Sequence, residues 1–226
     1  MIRRAKEIEC YFWLSLVLTL ITNRLAFLGG RLLAQGRSHY DLTLPIDSAV
    51  PFMPWTISIY FGCFIFWFLI YRLVAQLPRE NADRFYCANL LGKIVSFLFF
   101  ILLPTTLIRP ELYGTNFWDT SMRFLYGIDA PDCLFPSLHC MISWLCWIGI
   151  RGNKQVPLPW RIAALLMAVL VFLSTLTTRQ HVLPDVAGGI LFAEICYWLA
   201  GISALRGLYT RLIDRFIRLV FSLKKG

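Results

Sequence analysis

The sequence predicts an all-α, polytopic membrane protein, a bundle of six transmembrane helices forming one membrane domain over residues 1–226. Three observations predict it. The chain is 58% hydrophobic and only 15% charged, where soluble domains carry about 25% charged residues. Its apolar residues come in long blocks, and about 20 such residues span a bilayer as a helix. Its charges gather at the ends of those blocks. The net charge of +9 therefore reads as a set of topology signals and not as a nucleic-acid surface.

The spans follow in order. The first covers about residues 9–29, the second about 53–77 and the third about 85–107. The fourth opens at Pro136 and runs to about 150, short for a span unless proline starts the helix, a position it favours. The fifth covers about 160–178 and the sixth about 184–203. Between the first two, Pro45, Pro51 and Pro54 oppose a continuous helix. Asp41 and Asp47 in that loop are candidate polar contacts for a head group. The tail over 206–226 alternates basic and apolar residues at helical spacing, as expected of a helix lying along an anionic leaflet.

Lys and Arg set the orientation. Fifteen of the 22 fall in segments on one side, from Arg3, Arg4 and Lys6 to Lys224 and Lys225. Six fall on the other, namely Arg24, Arg31, Arg37, Arg109, Arg123 and Arg179, and Lys93 lies within the third span. The richer side is cytoplasmic. Both termini are then cytoplasmic, and the loops carrying Arg109, His139 and His181 face the extracytoplasmic side, be it periplasmic, extracellular or luminal. Seven cysteines show no metal-type spacing. Five lie in apolar blocks as small hydrophobes, and Cys133 and Cys140 are candidates to pair.

The chain has three histidines, and two sit at helix mouths in short polar stretches. His181 precedes Pro184 and Asp185, with Pro184 placed to start the sixth span. A carboxylate on one ring nitrogen fixes the tautomer and leaves the other free to attack. His139 lies in Phe135-Pro136-Ser137-Leu138-His139. A helix start there attracts phosphate through its free N–H groups and its dipole. Ser137 adds a hydroxyl, and His139 can give a proton to a leaving oxygen. Arg109, fixed by Pro110, offers a planar two-pronged grip on phosphate. Each piece alone reads as a cap, a loop residue or a topology signal. All three on one face suggest a shared task.

The order Arg-Pro, Pro-Ser-x-His and His-x-x-x-Asp resembles the type 2 phosphatidic acid phosphatase superfamily, over about residues 85–200. The resemblance implies that His181 is the nucleophile, forming a phosphohistidine. It implies that Asp185 orients His181, that His139 protonates the leaving group, and that Arg109 and Ser137 bind phosphate. It implies no metal and no cofactor. The chain departs from the pattern twice. A Lys seven residues before Arg109 is replaced by Leu102, and a Ser-Arg pair six residues before His181 reads Ser174-Thr175. Lys93, 16 residues before Arg109, lies about 24 Å away along a helix. Arg179 is the candidate substitute. Loss of those cations is similar to the phosphotransferase branch, such as inositol phosphorylceramide synthase. The soluble haloperoxidases of the superfamily do not fit. The expected activity is a membrane-embedded lipid phosphatase or phosphotransferase acting on a phospholipid or sphingolipid, with water or an alcohol as acceptor. The rival is a non-catalytic transporter or scaffold with a degenerate site.

Overall fold

A computed structural model describes residues 5–223. Arg3, Arg4, Lys224 and Lys225, part of the charge count, lie outside the described residues, as do the ends of the 1–226 domain and of the tail. The described chain forms α1 (Ala5–Ala34), α2 (Ile57–Val74), α3 (Arg79–Leu102), α4 (Phe117–Ile128), α5 (Leu138–Arg151), α6 (Leu158–Thr177), α7 (Leu183–Leu199) and α8 (Ser203–Leu223). The all-α bundle is as the sequence predicts, with a helix at each of the six expected spans. Two small strands, β1 (Tyr40–Asp41) and β2 (Thr105–Thr106), pair in parallel outside it.

By length and composition, α1, α3, α6 and the helix running from Pro54 to Val74 are able to cross a bilayer. Helices α7 and α8 pass the same test only as a pair, and they meet at 86°. Helix α5 has 14 residues, about 21 Å of helix against about 30 Å of hydrocarbon. The firm count is therefore four or five spans rather than six. The flanks suit a bilayer, since Leu25, Leu32, Ile65, Leu98 and Leu191 are all exposed.

Helix α1 lies along α3, and α5 is held between α6 and α7. The last pairing is close. A Cβ on Gly189 would come within 2.8 Å of the Ser137 carbonyl and 3.0 Å of the Met141 nitrogen. Only glycine lets α7 approach the start of α5 this nearly. At the opposite end, Asp83 of α3 accepts from Tyr11 and Arg79, each at 2.8 Å or less, and from Thr210 of α8. Arg79 also bonds Asp214 at 2.7 Å, which fastens α8 beneath the bundle.

The end that carries the histidines is a layer of loops and one helix that the sequence reading missed. Helix α4 is amphipathic, capped by Asn116, and buries Met122 and Leu125 against Ile57 and Tyr60 of α2. The prolines act as expected, leaving only 3-10 turns at Pro45–Ala49 and Pro54–Thr56. The third span ends at Leu102, five residues before the expected boundary near 107, because Pro104 cannot continue the ladder. Cys133 and Cys140 are both free and buried, so the considered pairing does not form.

The α5–α7 contact gives a direct test. Gly189→Ala should destabilise the protein by about 1–3 kcal/mol through overpacking against backbone. Gly127→Ala, inside α4 where an added Cβ meets open space, should not lower the unfolding midpoint in detergent, since Ala suits a helix better than Gly.

Candidate active site

Helix α7 begins one residue earlier than the sequence suggests, at Leu183, with Pro184 second and Asp185 third. A third-position carboxylate folds back onto the unpaired N–H groups of a helix start. Here Asp185 Oδ2 accepts from the Val182 N–H at 3.1 Å and lies 3.2 Å from His181 Nδ1. The oxygen that caps the helix thus also orients the ring. Oδ1 of Asp185 is buried with no protein partner.

Helix α5 begins after a cis Phe135–Pro136 bond. The expectation that Pro136 is the first helical residue is corrected, because Ser137 is the N-cap and its hydroxyl accepts from the Cys140 N–H at 3.3 Å. Ser137 is fully buried, and its own N–H donates to the Asp185 carbonyl at 3.1 Å. That bond ties the two histidine-bearing stretches together. His139, second in α5 rather than a turn inside, stands 6.1 Å from His181, ring centre to ring centre. Tyr60 and Trp67 of α2 flank it at 4.4 and 5.6 Å.

Both histidines line one cavity of about 530 Å³. Its walls come from α1 (Leu20, Asn23, Arg24, Phe27), from α2 (Tyr60, Phe61, Phe64, Trp67) and from the 128–134 loop. Helices α1 and α2 meet near Phe12 and Phe68, whose rings are 5.6 Å apart, and at the Arg72–Glu9 pair. Away from that contact the cavity separates them. Leu20 and Phe64, which line it, are each about half exposed.

The three arginine-bearing or hydroxyl-bearing candidates divide. Arg109 donates to the Asp129 carbonyl at 2.5 Å and to Gln180 Oε1 at 2.7 Å, and lies 4.5 Å over the Tyr126 ring. It braces the residue before His181 and does not itself line the cavity. Arg179 points elsewhere. Its guanidinium donates to the Asp47 and Val50 carbonyls at 2.8 and 2.6 Å, and its backbone takes φ of 52°. Ser137 lies behind His139 as a cap. Leu102 is exposed on the flank and Thr175 is buried with its hydroxyl on the Phe172 carbonyl, so neither departure from the resemblance places a polar group in the cavity.

Sequence reasoning missed Asp129, Tyr60 and Gln180. The Tyr60 hydroxyl lies 3.3 Å from Asp129 Oδ2 and 3.5 Å from His139 Nδ1. Burial raises the Asp129 carboxyl above its ordinary pKa, with His181 and Arg109 pulling it back down. The signal for Asp129 was its place in the acidic run just before the Pro-Ser-Leu-His piece. Tyr60 looks like any aromatic residue of an apolar helix.

Asp41 and Asp47, considered as head-group contacts, are local supports. Asp41 accepts from the Thr43 N–H at 2.8 Å. Asp47 is 1% exposed and accepts from the Leu44 and Leu183 N–H groups, both at 2.8 Å. It latches the first outer loop onto the start of α7. Asp47→Ala leaves both donors unpaired, at about 1–3 kcal/mol each. Amide hydrogen exchange should speed up at Leu44 and Leu183 and in the 44–50 loop, and Asp47→Asn should recover part of the protection.

The comparisons bear on this arrangement. A family model described as the PAP2 superfamily matches residues 48–199, which hold every predicted site residue. No curated protein and no solved structure matches the chain.

Proposed function

Because the chain belongs to the PAP2 superfamily, the type 2 phosphatidic acid phosphatases and their relatives, we propose that it cleaves a phosphate ester of a lipid through a phosphohistidine on His181. The observation that carries this reading is the pairing of two differently supported histidines in one cavity. His181 has a carboxylate on Nδ1, while His139 lies among the rings of Tyr60, Phe64 and Trp67.

In the first half-reaction, Nε2 of His181 forms a bond to phosphorus as the ester P–O bond breaks. Asp185 keeps the proton on Nδ1 and offsets the charge that grows on the ring. His139 gives its proton to the departing alkoxide oxygen. In the second, His139 takes a proton from the incoming hydroxyl, whose oxygen displaces His181 from phosphorus. Water as acceptor makes the enzyme a phosphatase, and an alcohol makes it a head-group transferase. Arg109 and Ser137 hold the site in register, Arg109 through Gln180 and Ser137 through the Asp185 carbonyl. The amino end of α5 favours the anion. The apolar walls and the exposure of the lining residues Leu20 and Phe64 support a lipid as the ester.

A rapid-quench experiment with lipid carrying radioactive phosphate should trap label on the protein. The label should be acid-labile and alkali-stable, as a phosphoramidate is. His181→Ala should abolish it, and Asp185→Asn should slow its formation while the protein stays folded. Turnover without label, or full activity in His181→Ala, refutes the covalent route.

His139 has its own readout. Loss of a general acid costs about 100-fold or more, and the loss falls mainly on poor leaving groups. His139→Ala should therefore slow a lipid phosphate far more than a nitrophenyl ester. Equal losses would assign His139 a structural part only.

A further inference from the structure

The cavity already holds two carboxylates. Asp129 lines it, and its carboxylate makes no ion pair with a Lys or Arg among the described residues. Asp132 lines it too, with Oδ2 on Arg31 at 3.0 Å and Oδ1 buried without a partner. A phosphate brought between the histidines adds further negative charge to a largely apolar space. Arg109 and Arg179 have donors committed to the Asp129, Asp47 and Val50 carbonyls and to Gln180. A third guanidinium is free. Arg24 of α1 lines the same cavity as His139 and His181 and has no hydrogen bond or ion pair to another described residue.

Its placement is built in. Leu20, Arg24 and Phe27 follow one another at helical spacing on one face, and all three line the cavity. Helix α1 cannot easily rotate that face away. An added Cβ on Gly30 would come within 2.7 Å of Phe100, so α1 seats directly on α3. Arg31 ties the next turn to Asp132, and Ala34 packs with Phe100 and Cys133. Beside Arg24, Asn23 also lines the cavity, and its amide nitrogen is the group able to donate to a phosphate oxygen. An arginine in a membrane helix facing a cavity marks a ligand path.

We propose that Arg24 is the cation that binds the phosphate of the substrate in the His139–His181 cavity, with Asn23 beside it. This rests on the reading of that cavity as a phosphoryl-transfer site. Helix α1 precedes the stretch matched to the family, residues 48–199, so the grip comes from a part of the chain outside the shared core. It supplies what Leu102 and Thr175 lack. The guanidinium fork reaches two phosphate oxygens at once, and the ester's apolar part is left between Phe27, Phe61 and Phe64.

The test is phosphate binding itself, on the full chain in a non-ionic detergent free of lipid anions. Inorganic phosphate is titrated by phosphorus NMR, and orthovanadate by inhibition of turnover. Loss of a charge-assisted grip should weaken both by about tenfold or more in Arg24→Gln. Arg24→Lys keeps the charge without the fork and should fall between, at least threefold weaker than wild type. Arg123→Gln removes an outer-side charge of α4 that does not line the cavity, and should stay within twofold. Affinity within twofold of wild type in Arg24→Gln overturns the assignment, as does an equal loss in Arg123→Gln. If Arg24→Gln does not fold, wild-type affinity in Arg24→Lys overturns it. Wild-type protein that binds phosphate through Arg24 but turns over no phosphorylated lipid would refute the enzymatic reading and leave this one standing.

Discussion

The structure depends on the junction between residues 135–139 and 181–185. Asp185 holds it from both ends of the residue. Its side chain caps α7 and orients His181, and its carbonyl accepts the Ser137 N–H. Gly189, one turn on, lets the helices meet closely enough for that backbone bond to exist. Buried carboxylates and backbone groups must be satisfied internally in such an environment. Oδ2 and the carbonyl of Asp185 meet that demand with the same atoms that arrange the chemistry, while Oδ1 stays unpaired. A substitution at Asp185 therefore disturbs a cap and a tautomer together while the backbone bond to Ser137 remains, which is why the Asn variant is more informative than Ala.

The two ends of the bundle are built by different means. At the end away from the histidines, polar groups pair with one another. Asp83 collects Tyr11, Arg79 and Thr210, and Arg151 forks onto Glu194 at 2.8 and 2.9 Å. At the other end, polar side chains mostly bind backbone. Arg179 reaches two loop carbonyls, Asp47 holds two N–H groups and Thr105 accepts from Leu134 and Phe135. The first arrangement fastens helices. The second stiffens loops around a cavity and leaves Asp132 Oδ1, Gln180 Nε2 and Asp185 Oδ1 unpaired there.

Much of this was legible because polarity is rare in an apolar chain. Histidines beside Pro136 and Pro184 stand out, and the helix starts fall within two residues of those prolines. What was missed has physical reasons. Helix α4 is twelve residues long, too short and too polar to stand out among blocks of twenty, though Asn116 three residues before Asp119 was an N-cap signal. Asp47 looks like a solvated loop acid, because nothing in its own stretch says that Leu183 will need an acceptor. Arg179 was read for its nearness in sequence to His181. Its guanidinium is instead taken up by the Asp47 and Val50 carbonyls. Arg24 was absorbed into the charge count, since a topology signal and a ligand contact are the same residue type at the same depth.

For the lipid ester proposed above, the exposed edge of the cavity at Leu20 and Phe64 changes what the substrate must give up to reach the histidines. Each methylene drawn from hydrocarbon into water costs about 0.8 kcal/mol, so extracting a whole acyl chain would cost more than a typical complex gains on forming. A slot that meets the bilayer sideways removes that cost. A diffusing molecule keeps its tail among neighbouring tails and offers only its head to His139 and His181. Encounter then becomes a two-dimensional search within one leaflet. Turnover would follow the mole fraction of substrate in the membrane and not its bulk concentration.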